Sequence, residues 1–215
     1  MATGGATGGE VSSAAKFVVL EAIVLAAGAG SRFGGAKLTA PWRGGVLIDG
    51  ALAAAFAAPA RSVTLVTGAD PRVREASRAF AATLGQTSRL RLVHAQDHAE
   101  GMAATLRAGI VALPADTAGA FVFLGDMPLI PPAILPRLAA ALARGARAAA
   151  PVFDGRRGHP VLFGRGLFAA LMALIGDQGA RSVLQDLEHG SVALIEAADS
   201  GVLFDVDVVG DLGRA

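Results

Sequence analysis

The chain has 215 residues, of which 53% are hydrophobic and 17% are charged, and its formal net charge is +1. This balance leaves no strongly basic face, so we expect no nucleic-acid partner. The sequence contains no cysteine, which excludes disulfides, thiolate catalysis and cysteine-ligated zinc and is compatible with a cytoplasmic location. No apolar run reaches the ~20 residues of a membrane span, so we expect no membrane partner.

Gly, Ala, Ser and Thr dominate residues 1–15, which we predict to be a disordered tail, whereas residues 16–215 are predicted to form a single α/β domain. Within that domain, short β-type runs alternate with longer runs rich in Ala and Leu. This alternation predicts strands at residues 18–25, 62–67, 90–94 and 120–124, and helices at 47–58, after Asp70, at 102–113 and at 131–144.

Beyond residue 146 the rhythm changes, with strands predicted at 148–153, 160–163, 192–195 and 203–206 and helices at 166–174 and 180–189. The fourfold alternation before that point implies parallel strands with crossover helices. The predicted fold is therefore α/β with three layers, a mostly parallel open sheet with helices on both faces. Ligands of such sheets bind at the carboxyl ends of the strands, so the segments after Leu25, Thr67 and Leu124 should share one edge.

The segment from Leu25 to Lys37, LAAGAGSRFGGAK, follows the first predicted strand. Its four glycines allow a tight turn and a close approach of the backbone to a ligand. Arg32 and Lys37 add positive charge, either as phosphate ligands or as ordinary surface cations. Backbone amides and cations placed after a strand suit a polyphosphate, so we expect a nucleotide here.

Asp126 follows the most apolar predicted strand, 120–124, in the sequence GDMP. A carboxylate there lies at the ligand edge and suits Mg²⁺, with a helix cap as the alternative role. Asp205 and Asp207 lie in and just after the predicted strand 203–206, where alternate residues share a face. We expect Asp207 to complete the metal site with Asp126, and a solvated strand end is the alternative.

Arg181 and His159 can each be interpreted in two ways. Arg181 lies at the start of a predicted helix, beside the positive end of its dipole, which favours either an anionic substrate or a buried ion pair with Asp177. His159, in the sequence RRGHP, is either a substrate contact or a hydrogen-bonded structural residue. The four histidines show no metal-ligand spacing.

Two common nucleotide-binding loops are not supported. The Walker A loop requires Ser or Thr directly after its lysine, but Lys37 is followed by Leu38. The dinucleotide fingerprint G-x-G-x-x-G is one residue shorter than the spacing of Gly28, Gly30 and Gly34. A kinase or ATPase loop is therefore absent, and a Rossmann dehydrogenase is poorly supported.

Five motifs, taken in order, resemble those of the MobA-like nucleotidyltransferases, and most of all those of the molybdenum cofactor cytidylyltransferase branch. They are LAAGAGSRFGGAK at 25–37, GMAATLRAG at 101–109, GDMP at 125–128, GRRGHP at 155–160 and GDQGAR at 176–181. The resemblance extends over residues 19–212. It implies a Rossmann-like nucleotidyltransferase fold and a Mg²⁺-dependent enzyme.

The resemblance also implies roles for individual residues. Nucleotide binding would involve Leu25, Ala26, Ala27, Gly28, Gly30, Arg32 and Lys37, together with Gly68 at the same edge. The catalytic residues would be Lys37, Arg32 and Asp126, and the Mg²⁺ ligands would be Asp126 and Asp207. Residues toward the second substrate would be Gly101, Met102, Thr105, His159 and Arg181.

The implied reaction is transfer of CMP from CTP to the terminal phosphate of molybdopterin or molybdenum cofactor, with release of pyrophosphate. A molybdoenzyme that receives the product is a candidate partner. Ala27 favours CTP, since the guanylyl-transferring relatives tend to have glycine there. A related transferase that uses GTP or another phosphorylated acceptor is the alternative enzyme, and a non-catalytic nucleotide or cofactor carrier is the alternative of another class.

One motif departs from the family pattern. The closing D-x-D-T-P-x-D of the family appears here as DVDVVGD at residues 205–211, without the Thr-Pro pair. The expected cap of the last helix therefore changes, and the role of Asp207 depends on how this segment folds.

Overall fold

The computed structural model describes residues 18–28, 30, 33–185, 187 and 191–213. The predicted tail at 1–15 and Arg32 lie outside these ranges. The strands are β1 Leu20–Ala26, β2 Pro41–Trp42, β3 Gly45–Val46, β4 Val63–Thr67, β5 Leu90–His94, β6 Gly119–Leu124, β7 Ala148–Phe153, β8 Arg156–Arg157, β9 Val161–Gly164 and β10 Val192–Glu196. The α-helices are α1 Leu47–Ala57, α2 Arg72–Thr83, α3 Met102–Val111, α4 Ile134–Ala143, α5 Phe168–Met172 and α6 Arg181–Gln185.

The main sheet has the strand order β10-β7-β9-β6-β1-β4-β5, with β8 paired to β7, and β2 and β3 form a separate hairpin. The strands β6, β1, β4 and β5 are parallel, and β9 runs antiparallel to both β6 and β7. The prediction of a mostly parallel open sheet is therefore confirmed. On β1, Leu25 pairs with Val66 on one side and with Leu124 on the other, so three carboxyl ends lie next to each other.

Helices cover both faces of the sheet, as predicted. Alternate residues of β1 divide between the two sides, because Ala22 and Val24 belong to one buried cluster and Ile23 to the other. The first cluster includes side chains of α1, α2 and α4, and the second includes side chains of α3, α5 and α6. Both faces of the central strands are thus dry, which explains their continuous apolar sequences.

The buried charge of Glu21 is satisfied at the edge opposite to the carboxyl ends. One carboxylate oxygen accepts from Arg61 Nε at 2.6 Å, and the other accepts from the backbone N–H and the hydroxyl of Ser62 at 3.0 and 2.5 Å. Arg61 also donates two hydrogen bonds of 2.8 Å to Asp116. Asp116 and Glu21 together raise the pKa of Arg61. This network is structural, since it lies far from the ligand edge.

The predicted strand at 203–206 is wrong. Ser200–Leu203 is a turn of 3₁₀-helix, and the Asp199 carboxylate accepts from Gly201 N at its start. The chain then leaves the sheet, and Val206 N donates to the carbonyl of Asp126 at 3.0 Å. This long-range bond, the burial of Val206 and the contact of the Phe204 ring with Trp42 hold the segment in place of a neighbouring strand. The predicted helix 180–189 begins as expected, and its positions 186 and 188–190 lie outside the described residues.

Across the ranges that the structure describes, no helix is both long enough and apolar enough to cross a membrane.

Candidate active site at the carboxyl edge of the sheet

A cavity of about 570 Å³ opens at the carboxyl ends of β1 and β6. It lies where the parallel strands of the sheet present their loops, which is the usual ligand position in such folds. Its lining residues are Leu25, Ala26, Ala27, Gly28, Gly30, Lys37, Leu38, His98, Ala99, Gly101, Met102, Thr105, Leu124, Asp126 and Asp177.

The loop after β1 returns on itself so that Lys37 comes back to the cavity. The backbone N–H groups of Phe33 and Gly35 donate to the carbonyl of Gly30 at 3.0 and 3.1 Å. Gly30 has φ +61°, and a Cβ at this position would lie 2.9 Å from Lys37 Cβ. Position 30 therefore requires glycine for its backbone conformation and for its contact with the lysine.

Lys37 and Asp126 form the central contact of the cavity, although 89 residues separate them in the chain. Lys37 Nζ donates to Asp126 Oδ2 at 2.8 Å and lies 3.6 Å from Asp207 Oδ1. The lysine side chain is 11% exposed, whereas the two carboxylates are 29% and 53% exposed. The carboxylates thus face the open side of the site while the aliphatic part of the lysine is covered.

Asp126 is placed by the β1–β6 ladder. Gly125 N donates to the carbonyl of Leu25 at 2.9 Å, which extends the strand pairing by one step. A Cβ on Gly125 would lie 2.8 Å from Ile48 Cδ1 and 3.0 Å from that carbonyl, so the backbones can approach only because residue 125 is glycine. The backbone of Asp126, the next residue, therefore has a fixed position at the edge of the sheet.

The segment 205–207 adds two carboxyl groups to this region. Val206 is fully buried and holds the segment to Asp126 through its N–H. Burial raises the pKa of Asp205, and the negative charges of Asp207 and Asp126 raise it further. The carboxylate of Asp211 accepts from the backbone N–H of Asp207 at 3.0 Å, which orders the turn after it. Asp205 therefore lies close enough to Asp126 and Asp207 for their charges to act on it.

The opposite wall of the cavity is the start of α3. Gly101 has φ +107°, and a Cβ there would lie 2.5 Å from Asp177 Oδ1 and 2.6 Å from the carbonyl oxygen of Gly176. Ala103 N donates to the same carbonyl at 3.0 Å. The GMAATLRAG and GDQGAR motifs are thus packed against each other, and glycine at position 101 makes that contact possible.

Comparison with known proteins decides the family of this chain. The MobA-like NTP transferase domain matches residues 22–192. The chain belongs to the MobA-like NTP transferase family. The matched range contains the first glycine-rich segment, the Lys37–Asp126 contact and the α3 wall, so the cavity lies within the shared domain. The chain is therefore a nucleotidyltransferase of this family.

Two curated relatives cover most of the chain. The molybdenum cofactor cytidylyltransferase of Escherichia coli K12 is 28% identical over 192 residues, which are 89% of this chain and 93% of that protein. The nicotine blue oxidoreductase of Paenarthrobacter nicotinovorans is 30% identical over 200 residues, 89% of this chain and 94% of that protein. These two names differ in reaction type, so likeness over the whole chain does not by itself identify the substrate.

Solved structures agree on the fold. The Rv0371c protein of Mycobacterium tuberculosis H37Rv has a TM-score of 0.75 and 26% identity, and the match covers 92% of this chain and 96% of that one. A second structure of that protein, a complex with manganese, has a TM-score of 0.71 at 24% identity and covers 91% and 97% of the two chains. The Rossmann-like fold expected from the sequence is confirmed.

Most of the residues that the family resemblance singled out line one cavity. They are Leu25, Ala26, Ala27, Gly28, Gly30, Lys37, Gly101, Met102, Thr105 and Asp126. Asp207 lies outside the lining but within 3.6 Å of Lys37 Nζ. Arg32 falls outside the described residues. The roles of all these residues remain predictions, whereas their common location is a property of the fold.

Besides Asp207, three predicted site residues within the described ranges do not line the cavity. Gly68 lies behind it, because a Cβ there would be 2.7 Å from both Ala27 Cβ and His98 Cγ. Arg181 is exposed at the first position of α6, and within the described ranges no ion pair joins it to Asp177. His159 is described next, since its environment is different.

His159 is a half-buried residue that directly precedes Pro160 and β9. Its Nδ1 atom is buried and has no hydrogen-bond partner in the described part of the chain, and its backbone N–H donates to the carbonyl of Val202 at 2.8 Å. Burial lowers the pKa of His159, while a hydrogen bond with the Val122 backbone and the charge of Asp126 act in the opposite direction. A contact of His159 with the substrate stays a prediction.

Sequence patterns missed His98 and Ala99, which line the cavity four and five residues after β5. The signal that could have identified them was topological. The strand β5 is parallel to β4 at the edge of the sheet, so its carboxyl end also points to the ligand edge. Asp177, considered above only as an ion-pair partner of Arg181, lines the cavity as well.

The donor chemistry of the cavity fits a divalent cation of the Mg²⁺ type. Asp126 and Asp207 offer oxygen ligands, and the Lys37 ammonium shows that a cation is held between them. Among the described residues, no group of three or more His, Cys, Asp or Glu side chains is arranged to hold a metal. Two carboxylates are nevertheless enough for a cation such as Mg²⁺, which usually binds to one or two carboxylates and completes its shell with water and phosphate.

Proposed function

We propose that this nucleotidyltransferase transfers CMP from CTP to the terminal phosphate of a molybdopterin-type acceptor, with Mg²⁺ as the cofactor. The observation that carries the proposal is the 2.8 Å contact of Lys37 with Asp126 inside a cavity at the carboxyl edge of the sheet. A lysine that could bind phosphate and a carboxylate that could bind a metal are next to each other there, which supports binding of a metal-bound triphosphate.

The nucleotide would lie along the loop after β1. Residues Leu25 to Gly28 provide backbone groups for the base and sugar, and Gly30, Arg32 and Lys37 follow toward the phosphates. Gly28 is exposed, and a Cβ there would meet no protein atom within 4 Å, so its backbone is open to a ligand. Lys37 would neutralise charge that develops on the phosphates in the transition state.

Asp126 and Asp207 would hold Mg²⁺ at this point. The cation supplies a positive charge that a lysine alone does not provide, and it orients the phosphate oxygens. Their geometry fits this role because both carboxylates already face one cation, Lys37 Nζ. The manganese complex of the mycobacterial structure concerns another protein, but it agrees with a divalent cation in this fold.

The acceptor would enter beside the α3 wall, formed by Gly101, Met102 and Thr105, with Arg181 farther out. Its terminal phosphate oxygen attacks the α-phosphorus of CTP, forming one P–O bond, and the bond to the bridging oxygen of the leaving pyrophosphate breaks. The attacking phosphate is already anionic, so no general base is required. The protein then contributes positioning and charge neutralisation.

CTP is preferred to GTP in this proposal for two reasons. Ala27 stands where guanylyl-transferring relatives tend to have glycine. The curated relative with 28% identity over 89% of the chain is a cytidylyltransferase. A guanylyltransferase, or a transferase with another phosphorylated acceptor, would need the same kind of cavity. A comparison of reaction rates with different substrates therefore separates these candidates.

The test measures pyrophosphate release with purified protein, Mg²⁺ and molybdopterin, using CTP and GTP in parallel. The proposal expects release that requires the acceptor and is faster with CTP. Faster pyrophosphate release with GTP would show that GTP, not CTP, is the donor nucleotide. Binding of CTP without any pyrophosphate release would favour a carrier. Because one relative is an oxidoreductase, oxidation of NADH and NADPH is followed in separate reactions, and turnover confined to those reactions would overturn the transferase proposal.

A further inference from the structure

Lys37 occupies the position between the two carboxylates that the proposed function gives to the metal. Its ammonium lies 2.8 Å from Asp126 Oδ2 and 3.6 Å from Asp207 Oδ1. Both ion pairs that these carboxylates form within the described ranges are with this lysine. The same side chain is the one expected to bind the phosphates. Lys37 therefore has two competing partners within one cavity.

The Lys37 ammonium and a divalent cation oppose each other at these carboxylates. A Mg²⁺ ion binds a carboxylate oxygen at about 2.0–2.1 Å. An ammonium hydrogen-bonded to the same oxygen would lie close to that ion, and the two positive charges would repel each other. The lysine is also mostly covered, so its positive charge is screened less than that of an exposed side chain. A divalent cation that arrives alone must displace Lys37 without offering it another anion.

The loop limits where the displaced ammonium goes. Lys37 packs against Gly30, where an added Cβ would lie only 2.9 Å from Lys37 Cβ, so the base of the lysine side chain is fixed. The ammonium can therefore move only by rotation of the outer methylenes, within the cavity that both residues line. A triphosphate in that cavity supplies the replacement anion.

We propose, building on the proposed function, that Lys37 is an exchangeable counter-ion that holds Asp126 and Asp207 in the nucleotide-free protein and releases them when a triphosphate takes its ammonium. Lys37 then suppresses binding of a free divalent cation and couples metal binding to nucleotide binding. The coupling is reciprocal, since each ligand must tighten the other by the same factor. The device prevents the carboxylates from capturing a metal without its nucleotide.

The effect of losing Lys37 should differ between the two ligands. Its loss should weaken binding of the nucleotide but strengthen binding of the free metal. Removal of the lysine leaves the carboxylates of Asp126 and Asp207 without the cation that lies beside both of them. A purely structural lysine would instead weaken metal binding when lost, because its carboxylate partners would become disordered.

The experiment titrates Mn²⁺ into nucleotide-free protein and follows the free ion by its paramagnetic resonance signal. The proposal expects Lys37→Met to bind Mn²⁺ about tenfold more tightly than the wild type. Lys37→Arg, which keeps the charge, should not show this gain. Arg78→Met, which removes one charge from an exposed position of α2, should match the wild type and thereby exclude a general effect of net charge.

Asp126→Asn separates this inference from the proposed function. If Asp126→Asn loses Mn²⁺ binding but Lys37→Met gains none, only the exchange is overturned. If Asp126→Asn binds Mn²⁺ as the wild type does, the metal assignment falls, and the exchange falls with it. Lys37→Gln, which keeps a polar side chain, provides the same test if Lys37→Met fails to fold, and its failure to gain affinity would equally overturn the exchange.

Discussion

The backbone N–H of Val206 donates to the carbonyl of Asp126 at 3.0 Å, and this bond joins the end of the chain to the loop after β6. Val206 is fully buried and anchors the segment, so the adjacent residues Asp205 and Asp207 lie near the cavity. One of them, Asp207, reaches Lys37 Nζ at 3.6 Å. The second carboxylate of the site is thus positioned by a backbone contact with the first.

Asp126→Asn tests the catalytic site without removing the shape of the side chain. We expect kcat for pyrophosphate release to fall by about 10²–10³-fold, because a charged group at the reacting phosphates is lost. The melting temperature should change little, since the carboxylate is partly exposed and Lys37 keeps Asp207 as a partner. Asp154→Asn, in an exposed turn, is the control and should keep full activity. Equal activity of both variants would contradict a role for Asp126.

Gly30→Ala tests the fixed approach of the loop to Lys37. The added Cβ would lie 2.9 Å from Lys37 Cβ at a backbone φ of +61°, so the lysine must shift and the loop is strained by about 1 kcal/mol. We expect nucleotide affinity to fall about tenfold, measured by isothermal titration with CTP and Mg²⁺.

Gly166→Ala is the matched control for this variant, since its Cβ would meet nothing within 4 Å and its φ lies outside the left-handed region. It should bind CTP as the wild type does. Unchanged affinity of Gly30→Ala would show that the position of Lys37 does not matter for the nucleotide.

Glu21→Ala tests the network at the opposite edge of the sheet. Glu21 is fully buried and accepts from Arg61 and twice from Ser62, so its loss leaves a buried N–H and a buried hydroxyl without their partner. We expect the free energy of unfolding to fall by about 3 kcal/mol, measured by urea denaturation. Asp116→Ala removes only the exposed partner of Arg61 and should have a clearly smaller effect. Equal losses would contradict the assigned burial of the network.

The pH dependence of stability should include a contribution from Asp70. A hydrogen bond from Arg72 is the main cause that lowers the pKa of Asp70 in the folded protein. The folded state therefore favours the charged form, so this stabilisation is present above the unfolded pKa of about 3.9 and is lost as the pH falls below it.

Arg72→Gln removes the side-chain part of that interaction. Wild type and variant should differ in the free energy of unfolding at pH 6 and converge as the pH falls through about 4 to 2. Urea denaturation at several pH values measures this. A difference that grows on acidification would contradict the assigned direction of the shift.

Local patterns were sufficient for most of the framework. The strand 90–94 was predicted with the bounds that it has in the structure, and 120–124 lacks only Gly119. These segments are short apolar runs bounded by turn residues, so their conformation is encoded nearby. The shared edge after Leu25, Thr67 and Leu124 followed from the parallel order of the strands.

Other features depend on contacts between distant parts of the chain. The short apolar run at residues 203–206 is typical of a strand, but the partner of Val206 is the Asp126 carbonyl and not a neighbouring strand. In the same way, nothing near His159 in the sequence indicates that its Nδ1 atom is buried without a hydrogen-bond partner among the described residues. The contribution of His98 to the cavity required the position of β5 in the sheet.

The central claim is nucleotidyl transfer in the cavity that Lys37 and Asp126 line, and isotope position tests it most directly. The protein is incubated with Mg²⁺, molybdopterin and CTP that carries ³²P either at the α- or at the γ-phosphate. The account predicts that the α-label appears in the pterin product and the γ-label in pyrophosphate, and that Asp126→Asn reduces both. Label from the γ-position in the pterin, or no transfer from either position, would contradict it.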